Sequence, residues 1–363
     1  MKKILYILII VLLGGSFFFS CNKGKAKVTI GIFLPLTGNA SQYGVTIKNG
    51  IDLAYSESSL KDKVKIIYED DKGEPKTAVS IVNKFLHNDN VDLMIGGAMS
   101  SIASSVIPIA DKNKKVLLSP FATASSLFQN EGYFYSLLPS DDYEGNFMAN
   151  YVYSNNIDSL GILYINTDYG AGIASAFMKG CNAKGIKTIF SAGYQEGEMD
   201  FKTQIAKMKN LKVNAVYLPG YYAETSIILR QMKELGADFK ILGSSGFYDP
   251  KFLEQANNFS EGIMFCYPAF ENDTTVLFQK FIHKYETIYM LKPDIFAFEG
   301  YDCFKLIESI LLKNKIQVNY NSELKNLKNF QGVNSIINFS QNGSVEKDLN
   351  IYIIKNGKFE KVK

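Results

Sequence analysis

The chain has 363 residues, 47% of them hydrophobic and 21% charged, and 39 Lys and Arg stand against 36 Asp and Glu for a formal net charge of +3. That near balance gives no basic surface of the kind a nucleic acid requires, and four cysteines in so long a chain imply no disulfide framework. The length exceeds what one compact lobe holds, so two domains are expected.

The chain opens MKKILYILIIVLLGGSFFFSC. Lys2 and Lys3 precede an apolar run over residues 4–13, and Gly14, Gly15 and Ser16 follow it ahead of Cys21. This is the order of an export signal, which takes no part in the fold. Its apolar core falls short of the roughly 20 residues a helix needs to span a bilayer. The segment is similar to a bacterial lipoprotein signal, in which the cysteine becomes the lipidated first residue of the mature chain. Phe18 stands where that pattern usually has Leu. Residues 1–20 are read as the signal peptide and residues 21–26 as a polar tether, which puts the mature protein at the periplasmic or extracellular face of a membrane. Cys181, Cys266 and Cys303 remain, an odd number, and the last two lie in apolar runs that suit burial.

From Val28 the chain alternates strand and helix. Residues 28–34 read as a strand, the Pro35-Leu36-Thr37-Gly38 break ends it, and Ile47, Ile51, Ala54 and Tyr55 form the buried stripe of a helix. A strand over 64–68 runs into Glu69, Asp70 and Asp71, and Ala78, Ile81, Val82 and Phe85 mark the next helix. Two compact apolar runs follow, 91–95 and 116–118, with Ile102, Val106, Ile109 and Ala110 at helical spacing between them. That makes a strand, helix, strand unit of the parallel type. Each of these strands runs into small hydroxyl residues, Ser100 and Ser101 after the first and Ser119, Thr123, Ser125 and Ser126 after the second. In open parallel sheets a ligand sits beyond the carboxyl ends of the strands, where helix N-termini favour an anion. The two strand ends read as a carboxylate cradle, although the same hydroxyls serve as ordinary helix caps in most proteins.

After Leu138-Pro139-Ser140-Asp141 the same alternation restarts. A helix is expected over 144–154, a strand over 160–165, a helix over 173–184 and a strand over 187–190. A strand over 215–218, a helix over 224–235 stopped by Gly236, and strands over 241–243 and 263–266 complete a second α/β lobe. Two amphipathic segments, 276–290 and 296–312, lead to a pair of C-terminal strands around 335–338 and 349–354, followed by Asn342-Gly343 and Asn356-Gly357 turns.

In this order the chain resembles a type I periplasmic binding protein, of the branch that includes the leucine/isoleucine/valine-binding proteins of ABC transporters. The resemblance is carried by VTIGIFLPLTGNASQYG, YEDDKGEPKTAV, IGGAMSS with LLSPFATA, LPSDDYEG, INTDYGAG, VNAVYLPGYYAE and GYDCFKLIESIL, which together cover nearly the whole mature chain. It implies an α/β fold of two doubly wound Rossmann-like lobes joined by a three-crossover hinge, with the ligand closing between them. The crossovers would fall near Ser140, Pro268 and Gly332. The N-terminal lobe would then comprise residues 27–140 plus 269–331, and the C-terminal lobe 141–268 plus 332–363.

Position by position, Ser100 and Thr123 resemble hydroxyl ligands to an amino acid's α-carboxylate, with main-chain N–H groups around Phe121 and Thr123. Tyr43 resembles the aromatic residue lining the first lobe's side of the cleft, and Tyr301 another cleft aromatic, although a tyrosine on an amphipathic helix is more often core than ligand contact. Tyr169 and Tyr221 resemble those closing over the ligand from the second lobe, with Tyr222 a competitor for the role. The family's amino-acid binders place an acid for the ligand's ammonium where this chain has Ser245. Asp141 resembles a second family acid near the cleft and could replace it; Asp249 lies close along the chain but also suits a helix cap.

The resemblance therefore implies the extracytoplasmic substrate-binding component of an ABC importer, working with a permease and ATPase complex, lipid-anchored, and without cofactor, metal or nucleic acid. A ligand sensor handing its closed state to a membrane receptor keeps the same fold. An enzyme is disfavoured. His87 and His283, the two histidines, fall in helical segments rich in solvated residues, and IGGAMSS has the glycines of a phosphate loop without its spacing or lysine. Labelling of cells with a fatty-acid analogue should mark the wild-type protein and not Cys21→Ala; equal labelling of both rejects lipidation at Cys21.

Overall fold

The structure, a computed structural model, describes residues 28–128, 131–268, 275–313, 318–333 and 335–362. The signal, the tether and Cys21 lie outside the described residues.

The first sheet is five-stranded and wholly parallel, in the order β2-β1-β3-β4-β5. Its strands are β1 (Val28–Leu34), β2 (Val64–Asp70), β3 (Leu93–Gly96), β4 (Leu117–Ser119) and β5 (Phe134–Ser136). The connecting helices are α1 (Ser41–Glu57), α2 (Pro75–His87) and α3 (Ser100–Lys112). Ile30, Ile32, Phe33 and Leu34 of β1 are all fully buried, so its side chains are covered on both faces of the sheet. The expected apolar stripe of α1 is present: Ile47, Ile51 and Ala54 are buried.

The second sheet begins after α4 (Asp141–Ser154). It takes β6 (Leu160–Ile165), β7 (Thr188–Tyr194), β8 (Ala215–Leu218), β9 (Lys240–Gly243) and β10 (Met264–Pro268) in parallel, with α5 (Asp168–Asn182), α6 (Lys202–Asn210), α7 (Tyr222–Glu234) and α8 (Pro250–Ala256) between or after them. Helices α9 (Val276–Tyr289) and α10 (Ile295–Lys313) then return to the first sheet. The Tyr289 hydroxyl donates to the Asn49 carbonyl at 2.9 Å, and Lys284 pairs with Glu57 at 2.7 Å, both on α1. After α11 (Tyr320–Lys325) a small antiparallel pair, β11 (Phe330–Gln331) and β12 (Ile336–Ile337), forms on its own. Last, β13 (Leu349–Lys355) and β14 (Lys358–Lys361) join the second sheet antiparallel, giving the order β14-β13-β10-β9-β8-β6-β7. Asn356 and Gly357 have φ of 51° and 67°, the positive pair that a tight hairpin turn requires.

The C-terminal strands differ from the sequence expectation, because β12 pairs with β11 and not with β13. The stretch that follows Gly332 also stays with the first sheet. Phe339 packs edge-on against Tyr135 at 5.1 Å, and the Ser136 N–H donates to the Gly343 carbonyl at 3.1 Å. We therefore propose that the third crossing lies between Val345 and Leu349 rather than near Gly332. Within it Lys347 is held by Glu299 of α10 at 2.6 Å, the side chains 1% and 0% exposed. The second crossover, expected near Pro268, adjoins residues 269–274, which lie outside the described residues.

The return helix is seated by two glycines. A Cβ at Gly50 of α1 would meet the Ala297 carbonyl oxygen at 2.1 Å, and one at Gly300 of α10 would meet the Ile47 carbonyl oxygen at 2.2 Å. The two backbones thus touch where any side chain would hold them apart. Gly50→Ala gains helix propensity of about 1 kcal/mol, but overpacking of this kind costs about 1–3 kcal/mol. Equilibrium denaturation should show a net loss of stability, whereas a neutral or stabilising result would mean the crossing is not close.

Candidate functional site

The carboxyl ends of the two sheets face each other, and the loops leaving them meet. Tyr43 follows β1 and heads α1; Tyr221 and Tyr222 follow β8. The Tyr43 ring lies 6.1 Å from that of Tyr221 and 5.9 Å from that of Tyr222, so the first sheet's loops are in ring contact with the second's. Tyr169, at the start of α5, stacks on Tyr221 at 5.6 Å and 21°. On the other side Phe296, at the head of α10, sits 4.6 Å from Tyr43 and 4.4 Å from Phe121. Tilted and offset aromatic pairs at these separations are attractive beyond their buried area. Burial pushes the Tyr43 hydroxyl well above its usual pKa, with the Asp249 carboxylate adding to the effect.

The hydroxyl-rich strand ends lie beneath this aromatic layer. Ser100, the first residue of α3, is buried, and its Oγ accepts from the backbone N–H groups of Thr123 at 3.3 Å and Ala124 at 3.2 Å. Ser119 Oγ accepts from Phe121 at 3.3 Å and Ala122 at 3.0 Å and donates to the Gly97 carbonyl. The N–H groups of Phe121 and Thr123, expected at a ligand carboxylate, are therefore engaged by serine oxygens. The physical reason is local: the short loop after β4 folds back on Ser119 and Ser100. Ser100 only accepts in these contacts, and among the described residues nothing takes its hydroxyl hydrogen, which stays available to an incoming oxygen.

Thr123 also holds the start of α4, its carbonyl accepting from the Asp141 N–H at 2.8 Å. Asp141 is fully buried, and neither carboxylate oxygen has a well-formed hydrogen bond. Burial raises its pKa well above the usual value, Glu144 and Asp142 add to the rise, and the nearby Thr123 hydroxyl opposes it. One turn on, Glu144 is also buried, and its Oε1 accepts the Ser245 N–H at 2.7 Å. Burial pushes Glu144 up to about 7. The neighbouring Ser244 shares a hydrogen bond of 2.7 Å with the Tyr169 hydroxyl. Asp249 caps α8 by accepting from the Lys251 N–H, as its cap reading had it, and burial brings it to about 6.

Tyr43, Phe121, Tyr169, Tyr221, Asp141, Ser100, Thr123 and Ser245 thus gather around one interlobe region. Tyr301 does not. Its hydroxyl donates to Glu57 at the far end of α1, at 2.7 Å, and its ring packs edge-on against Phe281 at 4.9 Å, which makes it part of the helix interface. Phe296, earlier on the same helix, occupies the cleft position instead. Glu144 and Phe296 were missed in the sequence. Glu144 could have been found, since it lies three residues after Asp141 and so on the same helix face. Phe296 had no such signal.

Comparison with known proteins agrees with this architecture. A model of the periplasmic binding protein family matches residues 27–358. The chain is 32% identical over 249 residues to the Leu/Ile/Val-binding protein BraC3 of Rhizobium johnstonii, covering 66% of this chain and 67% of that one. A leucine-, isoleucine-, valine-, threonine- and alanine-binding protein of Pseudomonas aeruginosa is 29% identical over 266 residues, 70% of each. Among solved structures, the leucine binding protein LivK of Thermotoga maritima superposes with a TM-score of 0.86 at 25% identity, over 93% of this chain and 98% of that one. The isoleucine complex of LivJ from Streptococcus pneumoniae gives 0.83 at 25% identity, over 92% and 98%. These relatives are named as binding proteins and not as enzymes, in keeping with the reading that disfavours an enzyme. Membership of the family implies a place outside the cytoplasm, and among the described residues no helix is long and apolar enough to cross a membrane. With two sheets meeting at their carboxyl ends and a family match along nearly all the mature chain, the protein belongs to the periplasmic binding protein family and has its type I, two-lobed fold.

Proposed function

We propose that the protein captures a branched-chain or related amino acid between its lobes, as the substrate-binding component of an ABC importer, held at the membrane surface by lipid on Cys21. The observation that carries this reading is the ring contact between Tyr43 of one lobe and Tyr221 and Tyr222 of the other. An aromatic lid divided between two lobes closes only when they approach, so the free energy of enclosing a ligand is available to drive closure. The tyrosine faces and Phe121 suit an apolar side chain, and the Ser100 hydroxyl at the head of α3 suits its carboxylate. Relatives named for binding leucine, isoleucine and valine support the ligand class. A separate permease and ATPase complex would receive the closed form.

The purified mature protein should become more compact in small-angle scattering, and melt at a higher temperature, on addition of L-leucine, L-isoleucine or L-valine. No compaction and no stabilisation with any amino acid or related carboxylate removes the reading. Ser100→Ala should weaken binding by about 1–3 kcal/mol in a calorimetric titration, the range for a lost hydrogen bond to a charged group. Unchanged affinity in that variant would place the carboxylate elsewhere.

A further inference from the structure

We propose that Asp249, from the second sheet's side, and Asp294, from the first sheet's side, form a proton-operated latch between the lobes, opposing closure while both are ionised and permitting it once protonated. The inference rests on the closure reading above and concerns what regulates closure, whichever ligand is bound.

The geometry starts from two helix heads. Asp249 follows β9 and caps α8, its Oδ1 accepting the Lys251 N–H at 2.8 Å. Asp294 directly precedes α10, the helix packed on α1, and its Oδ1 accepts the Ala297 N–H at 3.0 Å. The two carboxylates thus come from opposite lobes, and ring contacts bracket them. Tyr248, the residue before Asp249, stacks on Tyr267 at 4.0 Å and 15°. Phe296, two residues after Asp294, lies 4.6 Å from Tyr43, which lies 5.9 Å from Tyr222. Asp249 is 2% exposed and Asp294 8%, and Asp249 Oδ2 has no hydrogen-bond partner. Among the described residues neither acid forms an ion pair with a lysine, arginine or histidine. Two buried carboxylates brought within reach of each other's charge, with no cation between them, are costly while both are ionised.

The groups facing the pair are Tyr43 of α1, Tyr222 of α7, Lys251 of α8, Tyr267 of β10 and Tyr285 of α9. Lys251 is the one cation among them, and burial outweighs its pull on Asp249. Burial pushes Asp249 up to about 6 and Asp294 up to about 7, with the Asp249 charge adding to the rise at Asp294. Separating the lobes would let water reach both carboxyls and return them toward about 4, the ordinary value for an aspartate. The closed state therefore holds more protons than the open one. Closure is favoured as pH falls through about 7 and about 6 and is opposed above that range. A neutral carboxyl keeps an oxygen that can accept at each helix cap, so protonation leaves α8 and α10 in place.

Calorimetric titration of L-leucine, L-isoleucine and L-valine into the mature protein at about pH 6.5, in buffers of different ionisation enthalpy, counts the protons exchanged. The wild type should take up about one proton and bind roughly tenfold more tightly at pH 6 than at pH 8. Burial also raises Asp141 and Glu144, so variants assign the uptake. Asp249→Asn and Asp294→Asn both keep a capping oxygen. Each should bind more tightly than wild type at pH 8, take up fewer protons and lose much of the pH dependence. The double variant should gain less than the sum of the two, because either change alone removes the mutual repulsion. Melting without ligand monitors folding, and Asp249→Ser or Asp294→Ser, which also caps, replaces a variant that does not fold. Wild-type binding without proton uptake, or folded variants that keep the wild-type uptake and pH dependence, overturns the latch and leaves the amino-acid reading standing. If the wild type binds no amino acid, that reading fails and small-angle scattering of the ligand-free protein decides the latch. Compaction between pH 8 and pH 5.5 in the wild type but not in the double variant supports it, and unchanged dimensions in the wild type overturn it.

Discussion

The lobe that carries Ser100 and Thr123 is assembled from segments far apart in the chain, and the contact that joins them is the crossing of α1 and α10 at Gly50 and Gly300. With backbone against backbone, the two helices can pack only in one register, because a shift of a single residue would bring a side chain into the contact. That register decides where the head of α10 falls. Phe296, one turn before Gly300, is delivered between Tyr43 and Phe121, and Tyr301 is turned the other way toward Glu57.

The same constraint bears on the hinge. Lys347, on the segment that reaches the second sheet, is tied to Glu299 of α10 with both side chains out of solvent. A buried ion pair contributes little net stability compared with apolar packing, but removing either partner leaves an uncompensated charge. Its effect is thus to fix the position of the crossing segment on the return helix.

The cleft itself departs from the usual rule that buried charge is paired. Asp141, Glu144 and Asp249 are all buried, and burial raises each carboxyl toward the neutral form. Elsewhere in a fold such a cluster would be replaced by apolar side chains at little cost in stability. In the region where two lobes meet, Asp141 and Asp249 keep carboxylate oxygens without a hydrogen-bond partner, and perturbed acids of this kind cluster at functional sites.

Much of this molecule was legible in its sequence. The alternation of strands and helices, the apolar stripe of α1 and the restart after Leu138-Pro139 are local periodicities, each encoded within a few residues. Segments too short or too polar to show a period were not: β5, with three residues, takes its conformation from the sheet it completes, and α6, with the sequence KTQIAKMKN, buries Ile205 and Met208 alone. The site divided in the same way. Ser100, Thr123, Asp141, Tyr169 and Tyr221 follow strand ends, whose place in an open parallel sheet follows from topology alone. The sequence by itself therefore determined the two-lobed class and the loops that face the cleft. Only the tertiary structure decided that Phe296 and not Tyr301 enters it, that Glu144 reaches Ser245, and that the serine hydroxyls already hold the N–H groups of Phe121 and Thr123. Those outcomes depend on which backbone approaches which, and close approach between elements distant in the chain is set by packing, for which no period of 2 or 3.6 residues carries a signal.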